Sequence, residues 1–340
     1  MNSEPKLVRV LEGSAEKVPP VWLMRQAGRY LPEYRELRAK AGSFWAMALT
    51  PRYAAEVTLQ PVRRFGFDAA ILFSDILTVP EALGQKVTFT EGEGPRLEPV
   101  TSAKGFVEDR QAWARYFEPV YEALKLTRAG LPEGTALLGF TGAPWTLATY
   151  LAAGAGGDEQ KAAKLWAYRD PQGFAVLLDI LGECVAFHLI RQIDAGADAV
   201  QVFDSWASGL PVGLFEQVVI QPNRKIVAAV RAARPGARII GFPRACTLAG
   251  YEAYARATGV DVVSLDTAAP MDWAAKTLPC GLQGNLDPVA LVAGGAGLDR
   301  AVDDILQATA GRPHIFNLGH GILQETPIAH VEQLLKRIRG

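Results

Sequence analysis

The sequence predicts an α/β protein, a single distorted (β/α)8 TIM barrel, on three observations. Eight short apolar runs are spread along the chain, helix-like stretches separate most of them, and no charge block, low-complexity linker or repeat divides the 340 residues. Continuous apolar runs alternating with helices mark a parallel sheet covered on both faces. A count of eight favours a closed barrel over an open doubly wound sheet.

The series opens at Pro20–Met24, a short run. Ala69–Phe73, Ala136–Phe140, Ala199–Phe203 and Arg238–Phe242 follow as unbroken apolar strands, each trailed by small or polar residues. Val262–Leu265 comes next, then Gly281–Leu282 extending toward Asn285, again short, and finally His314–Leu318. Between them, Phe174–Ile193 and Leu286–Thr309 read as helices. Residues 1–340 are thus expected to form one domain, with a basic loop at about 20–40.

Composition narrows the function classes. Hydrophobic residues make up 49% and charged residues 21%, a globular balance that excludes a disordered chain. Thirty-five Lys and Arg against 36 Asp and Glu leave a net charge of −1, which argues against nucleic acid or an anionic membrane as partner. Cys184, Cys246 and Cys280 form neither a disulfide framework nor a Cys-x-x-Cys pair, which points to a reducing compartment. The first residues, with Glu4, Lys6, Arg9 and Glu12, contain no apolar export core, so a cytoplasmic protein is expected. The uncharged stretch from Gly134 to Gly157 is long enough to span a bilayer. Its glycines, Pro144, Thr141 and Thr146 instead predict a buried strand, a tight loop and a helix start.

In a barrel, chemistry gathers where the strands end and the βα loops converge. Those ends carry Arg25 and Gln26, Ser74 and Asp75, Thr141, Asp204 and Ser205, Arg244, Asp266, Gln283 and Asn285, then Asn317 and His320. Asp, Ser and Asn after a strand also cap helices, and capping accounts for about half of this set. Arg25, Gln26, Arg244 and His320 are poor caps. Residues 20–64 hold eight basic side chains against three acids. A solvated loop with Arg–Glu pairs suits Arg35, Lys40 and Arg64. Arg25, Arg29 and Arg38 better suit a loop that grips carboxylate or phosphate, because the planar guanidinium bonds oxyanions in pairs. Gly28 and Pro32 keep that loop from being a regular helix. Cys184 and His188, at i and i+4 on an apolar helix, read as core, and His314 and His330 as structural.

At this point the motifs become specific. Pro20–Tyr34 (PVWLMRQAGRYLPEY) and Gly139–Tyr150 (GFTGAPWTLATY) resemble the signatures of the uroporphyrinogen decarboxylase family. Phe73–Asp75, Phe203–Ser205, Leu282–Asp287 and Asn317–Gly321 resemble it too, in the same order and over nearly the whole chain. The resemblance implies a distorted barrel, a homodimer, and conversion of the four acetate arms of uroporphyrinogen to methyl groups in haem and tetrapyrrole synthesis. It implies no metal and no organic cofactor. It places Arg25, Gln26, Arg29, Arg38, Asp75, Tyr150, Ser205 and His320 at the substrate, with Asp75, Arg25, Arg29, Tyr150 and His320 in catalytic roles. One departure is Gly241–Cys246 (GFPRAC), where relatives carry a Gly-rich turn after a basic residue. Cobalamin-linked methyltransferases resemble the same barrel but hold zinc through His and Cys. This chain has no His-x-Cys and no cysteine beyond Cys280. A non-catalytic tetrapyrrole carrier has no positive support in the sequence.

Overall fold

In a computed structural model, which describes residues 4–90, 94–156 and 158–340, the chain is an α/β fold around one curled parallel sheet. The ends of two sequence expectations, the first three residues and Gly157, lie outside the described residues. The strands are β1 (Ala69–Ile71), β2 (Thr88–Thr90), β3 (Gly94–Arg96), β4 (Ala136–Gly142) and β5 (Ala199–Asp204), followed by β6 (Ile239–Pro243), β7 (Val262–Ser264), β8 (Gly281–Leu286) and β9 (His314–Leu318). β2 and β3 form a small antiparallel hairpin. The other seven pair in the order β1-β4-β5-β6-β7-β8-β9, all parallel, in registers such as Leu138 with Ala199 and Leu282 with His314.

Among the described residues, seven of the eight expected runs are strands of this sheet, which is curled and open rather than closed. Pro20–Met24 is not a strand: Val21 alone bridges to Phe316 of β9. The cause is local. Proline at positions 19 and 20 removes two N–H donors, and side chains take most of the donors that follow. Val21 N–H donates to Asp68 Oδ2 (2.9 Å), Leu23 N–H to Gln26 Oε1 (3.0 Å) and Met24 N–H to Asn317 Oδ1 (2.9 Å). Trp22 N–H reaches only Phe316 O, at 3.4 Å. The segment still lies between the sheet's two edges, since Asp68 N–H donates to Val21 O (2.9 Å) and Phe316 N–H to Pro20 O (2.9 Å).

Apolar residues separate into two bodies. One lies inside the curl, where Trp22, Met24, Ala69, Leu138, Ile240, Phe242 and Ile315 meet Leu7, Val10 and Leu11 of the short helix Lys6–Leu11. That helix plugs the N-terminal end of the sheet. The larger body lies between the strands and the surrounding helices and runs from Val21 to Ile338. Each fully buried aliphatic side chain contributes about 1.5–3 kcal/mol, so both bodies strongly favour the curled sheet.

The Gly134–Gly157 stretch is a strand and a helix, β4 followed by Pro144–Ala153. Among the described residues, one helix, Pro171–Asp194, is long and apolar enough to cross a bilayer, and it packs against β4, β5 and neighbouring helices. Leu286–Thr309 differs from the expected single helix. It is Pro288–Ala293 and Gly295–Ala308, broken at Gly294 (φ 67°, ψ −163°), whose missing Cβ would lie 2.5 Å from the His330 ring.

Candidate active site

The arginine segment is a loop only in its first part. Arg25 to Leu31 is irregular, and Arg38 rides on the helix Pro32–Ala41 that follows. Arg25 adopts φ 61°, a left-handed conformation costing a non-glycine residue about 1 kcal/mol. Its neighbours hold it there. Gln26 is wholly buried, donates Nε2–H to Ala69 O (3.1 Å), and its own carbonyl accepts from Tyr30 Oη (2.8 Å). The Gln26 side chain therefore braces the loop from beneath. A buried amide satisfies its own polar groups first.

Arg64 and Arg63 pair with Glu33 and Glu56 as forked ion pairs at 2.7–2.9 Å. Arg25, Arg29 and Arg38 have no carboxylate partner among the described residues. Arg29 and Arg38 flank the buried Tyr34, whose phenol is raised by burial and lowered by both cations. Tyr34 in turn packs edge-on against Phe73, 5.8 Å between centroids, which sets these arginines beside the end of β1.

Asp75 follows that strand end. Its Oδ1 accepts from Leu77 N–H (2.8 Å), and its carbonyl accepts from Thr78 Oγ1 (2.8 Å). The carboxylate caps the next turn with one oxygen, and Oδ2 has no hydrogen bond among the described residues. Asp75 is half-buried. Desolvation pushes it up to about 6, against the Leu77 N–H and the positive charge of Arg25, with Glu81 adding to the rise. The Glu81 carboxylate receives a short hydrogen bond from Tyr116 Oη.

A second wall comes from β5, the helix Pro144–Ala153 and β9. Tyr150 is half-buried, 6.2 Å centroid to centroid from Trp206. Burial raises its phenol, the Trp206 indole opposes, and the charges of Asp75 and Arg25 act on it from the first wall. Trp206 N–H donates to Thr146 Oγ1 (3.2 Å), and Thr146 donates to the buried Asp204 (2.6 Å). Burial lifts Asp204 to about 7, against hydrogen bonds from Thr146 and Asn223. Next to it Ser205 is half-buried, and its carbonyl accepts from Arg244 Nη1 (3.3 Å).

His320 lies two residues past β9, between two glycines that the geometry requires. A Cβ on Gly319 would lie 2.3 Å from Thr267 N, and one on Gly321 would lie 2.3 Å from Arg25 Cδ. Gly321 is thus the groove through which the Arg25 stem passes. Desolvation, Arg244 and Arg25 push His320 down to about 4, so its ring is neutral at physiological pH. The charge of Arg25 acts on Asp75, Tyr150 and His320 alike, which sets these four at one cleft.

Several polar strand ends prove structural. Asn285 Nδ2 donates to Asp266 O and Ala269 O (2.7 Å each), and Asp266 Oδ1 accepts from Ala268 and Ala269 N–H. Gln283 lies inside the curl, bonded to Trp22, Gln201 and Ser264. Cys184 and His188 are core residues, His188 against Phe117 at 3.9 Å, and His314 is tied to Gly284 O (2.8 Å). Sequence reasoning missed Glu81 and Tyr116 behind Asp75. Tyr116 sits on a helix more than thirty residues away, and no local pattern joins the pair. Among the described residues no three His, Cys, Asp or Glu side chains converge as metal ligands.

Residues 2–340 match the family model described as uroporphyrinogen decarboxylase (URO-D). The uroporphyrinogen decarboxylase of Rhizorhabdus wittichii is 54% identical over 336 residues, covering 98% of this chain and 97% of that protein. That of Sphingopyxis alaskensis is 52% identical over the full length of both. Among solved structures, a methyltransferase from Methanosarcina mazei superposes with a TM-score of 0.81 at 19% identity, over 98% of this chain and 97% of its own. A B12-independent methionine synthase from Shewanella reaches 0.53 at 12% identity, over 94% and 95%. At these identities the likeness is one of fold.

Proposed function

The chain belongs to the uroporphyrinogen decarboxylase family, and on that footing we propose how its cleft removes the acetate carboxyls of uroporphyrinogen III, leaving methyl groups in coproporphyrinogen III and releasing four CO2. It is a carboxy-lyase of haem and tetrapyrrole synthesis. Loss of CO2 from an acetate leaves an electron pair that needs a sink. A pyrrole protonated at the ring carbon beside the one that bears the acetate arm supplies one. The ring becomes cationic, and the C–C bond to the carboxylate breaks toward it to leave an exocyclic methylene. A second proton adds to that methylene carbon, and loss of the first proton from the ring carbon restores the aromatic ring as a methylpyrrole. The protein's task is to hold an octa-acid and to stabilise a transient cation.

The observation that carries the assignment of Asp75 is its Oδ2, which has no hydrogen bond among the described residues, on a carboxylate that feels the charge of Arg25. A porphyrinogen has sp3 bridges and can dome, directing its four pyrrole N–H groups to one side. A single carboxylate facing them fixes the macrocycle and offers its charge to each ring in turn. The same N–H bonds keep it ionised, offsetting the desolvation that raises its carboxyl. Arg25, Arg29 and Arg38 receive acetate and propionate arms as forked pairs. Tyr150, Ser205 and the neutral His320 donate single hydrogen bonds to carboxylate oxygens. A guanidinium is a poor acid near neutrality, so Arg25 and Arg29 act by charge and placement more than by giving up a proton.

The same reading extends to the frame. Pro20–Met24, lying between β9 and the start of β1, serves as the eighth stave of a distorted (β/α)8 barrel, supported by the hydrogen bonds on both of its sides. Residues 1–340 act as one catalytic domain, in keeping with a core that runs from Val21 to Ile338. We take the working form to be a cytoplasmic homodimer, as the family resemblance implies. Sedimentation should then give a species of about twice the 36.6 kDa chain, and a monomer at micromolar concentration would refute it.

Asp75→Asn tests the central role. It keeps the shape and removes the charge, and kcat should fall by at least ~2–3 kcal/mol in barrier terms, as for loss of a preorganised electrostatic group. A folded variant with near-normal kcat would sink the assignment.

A further inference from the structure

We propose that Arg244 forms a further carboxylate-binding subsite at the mouth of the cleft, together with His320, and that it takes one carboxylate arm of the tetrapyrrole. The proposal rests on the decarboxylase reading for the identity of the ligand, and on the following geometry for the subsite itself.

Arg244 is the first residue after β6. Its backbone is fixed, with N–H donating to Asp204 O at 3.1 Å. The next residue, Ala245, holds φ 57°, a left-handed turn without glycine, and such strain collects where a side chain must be aimed. The side chain is half-buried, yet its single hydrogen bond among the described residues is Nη1–H to Ser205 O, at 3.3 Å. A guanidinium carries five N–H donors, so four are left unpartnered. No carboxylate lies within ion-pair distance of it among the described residues. Arg234 and Arg337, on the outer surface, each hold an aspartate with two N–H groups.

A second observation fixes the direction. Ser205 follows β5, next to β6, and His320 lies two residues past β9, at the end of the sheet order. Arg244 Nη1–H is held at the Ser205 carbonyl, and the positive charge of Arg244 also acts on His320. A partly desolvated cation without a counter-ion is unfavourable unless a ligand brings the anion. Here an imidazole N–H can share the same carboxylate. The substrate has four acetate and four propionate arms. Arg25, Arg29 and Arg38 cannot hold all eight in forked geometry, and Arg244 is a further cation without a carboxylate partner among the described residues.

The test compares wild type, Arg244→Gln and Arg244→Lys in anaerobic turnover of uroporphyrinogen III. Alongside it run thermal melts and a tryptophan-fluorescence titration with the product, coproporphyrinogen III. A charge-assisted hydrogen bond lost from a carboxylate should raise KM by about 10–100-fold in the Gln variant. We expect kcat within about threefold of wild type, an unchanged melt, and partial recovery of KM in the Lys variant. A raised Kd for coproporphyrinogen as well assigns a propionate to the subsite; an unchanged Kd assigns an acetate. Wild-type KM in Arg244→Gln overturns the subsite and leaves the decarboxylase reading intact. So does a lowered melting temperature with kcat and KM equally damaged in both variants, which marks a purely structural arginine. If wild type binds coproporphyrinogen but releases no CO2, the decarboxylase reading fails, and weaker binding by Arg244→Gln still supports the subsite.

Discussion

Replacing Gly321 by alanine should disable the cleft without unfolding the protein. The added Cβ would stand 2.3 Å from Arg25 Cδ, 2.8 Å from Cγ and 2.9 Å from Nε, where ordinary contacts lie at 3.4–4 Å. Arg25 Cδ must therefore retreat by about 1 Å or more, and the guanidinium beyond it moves at least as far. Misplacing a binding group by ~1 Å costs on the order of 100-fold in rate, or about 2.7 kcal/mol. The backbone itself tolerates the change, because Gly321 is not among the glycines with positive φ. Loss of unfolded-chain freedom should even add up to ~1 kcal/mol of stability. The assay is anaerobic kcat/KM with uroporphyrinogen III on Gly321→Ala, Arg25→Ala and the double variant, with melting curves for each. The double variant should be no worse than Arg25→Ala, since both changes remove the same group. Near-normal kcat/KM in a folded Gly321→Ala, or losses that multiply in the double variant, would refute the groove.

Three further outcomes are expected. Arg38→Ala should raise KM more than Arg38→Lys, because the lysine keeps the charge and loses only the fork; equal KM values would show that fork geometry is unimportant there. The acidic limb of kcat/KM should fall near pH 6, where Asp75 takes up its proton in the free protein. Glu81→Gln should move that limb to lower pH, since Glu81 raises Asp75, and a shift to higher pH would contradict the coupling. Burial holds His188 at about 3 and His314 at about 4, both below the unfolded value near 6.5. Their stabilising contribution is complete above 6.5 and is lost as pH falls from there through the folded values. By pH 4.5 each has cost about 2–3 kcal/mol. Asp204, raised to about 7, acts in the opposite sense: its contribution is present below 3.8 and lost as pH rises through 7. It is common to both proteins, so urea melts of wild type and His188→Phe at pH 7.5 and 4.5 isolate the histidine. Equal pH slopes would show that the ring is not buried in its neutral form.

Strands were legible where the chain is most apolar, and seven of the expected runs stand in the sheet. Pro20–Met24 has the composition of a strand, but whether its N–H groups meet a ladder depends on Asp68, Gln26 and Asn317, which are brought up only by folding. The break at Gly294 depends likewise on His330, whose ring occupies the space a side chain would need. The motifs marked the cleft because arginines without acidic neighbours and paired glycines around a histidine are unusual in a merely structural loop. They could not separate presented side chains from bracing ones. Gln26 and Asn317 belong to the same signatures as Arg25 and His320, and both are wholly buried. The partners of Asp75 were hidden for a different reason: Glu81 and Tyr116 meet through helix packing, which leaves no local spacing to read.

The central claim is that this cleft decarboxylates a porphyrinogen with its own residues. The most direct measurement is anaerobic turnover of uroporphyrinogen III by chelator-treated protein, with the products oxidised and separated by chromatography. Coproporphyrinogen III formed without added metal or cofactor is the predicted result. Folded protein that binds the substrate and releases no product would contradict it, and thiol methylation restored by zinc would assign the fold to methyl transfer instead.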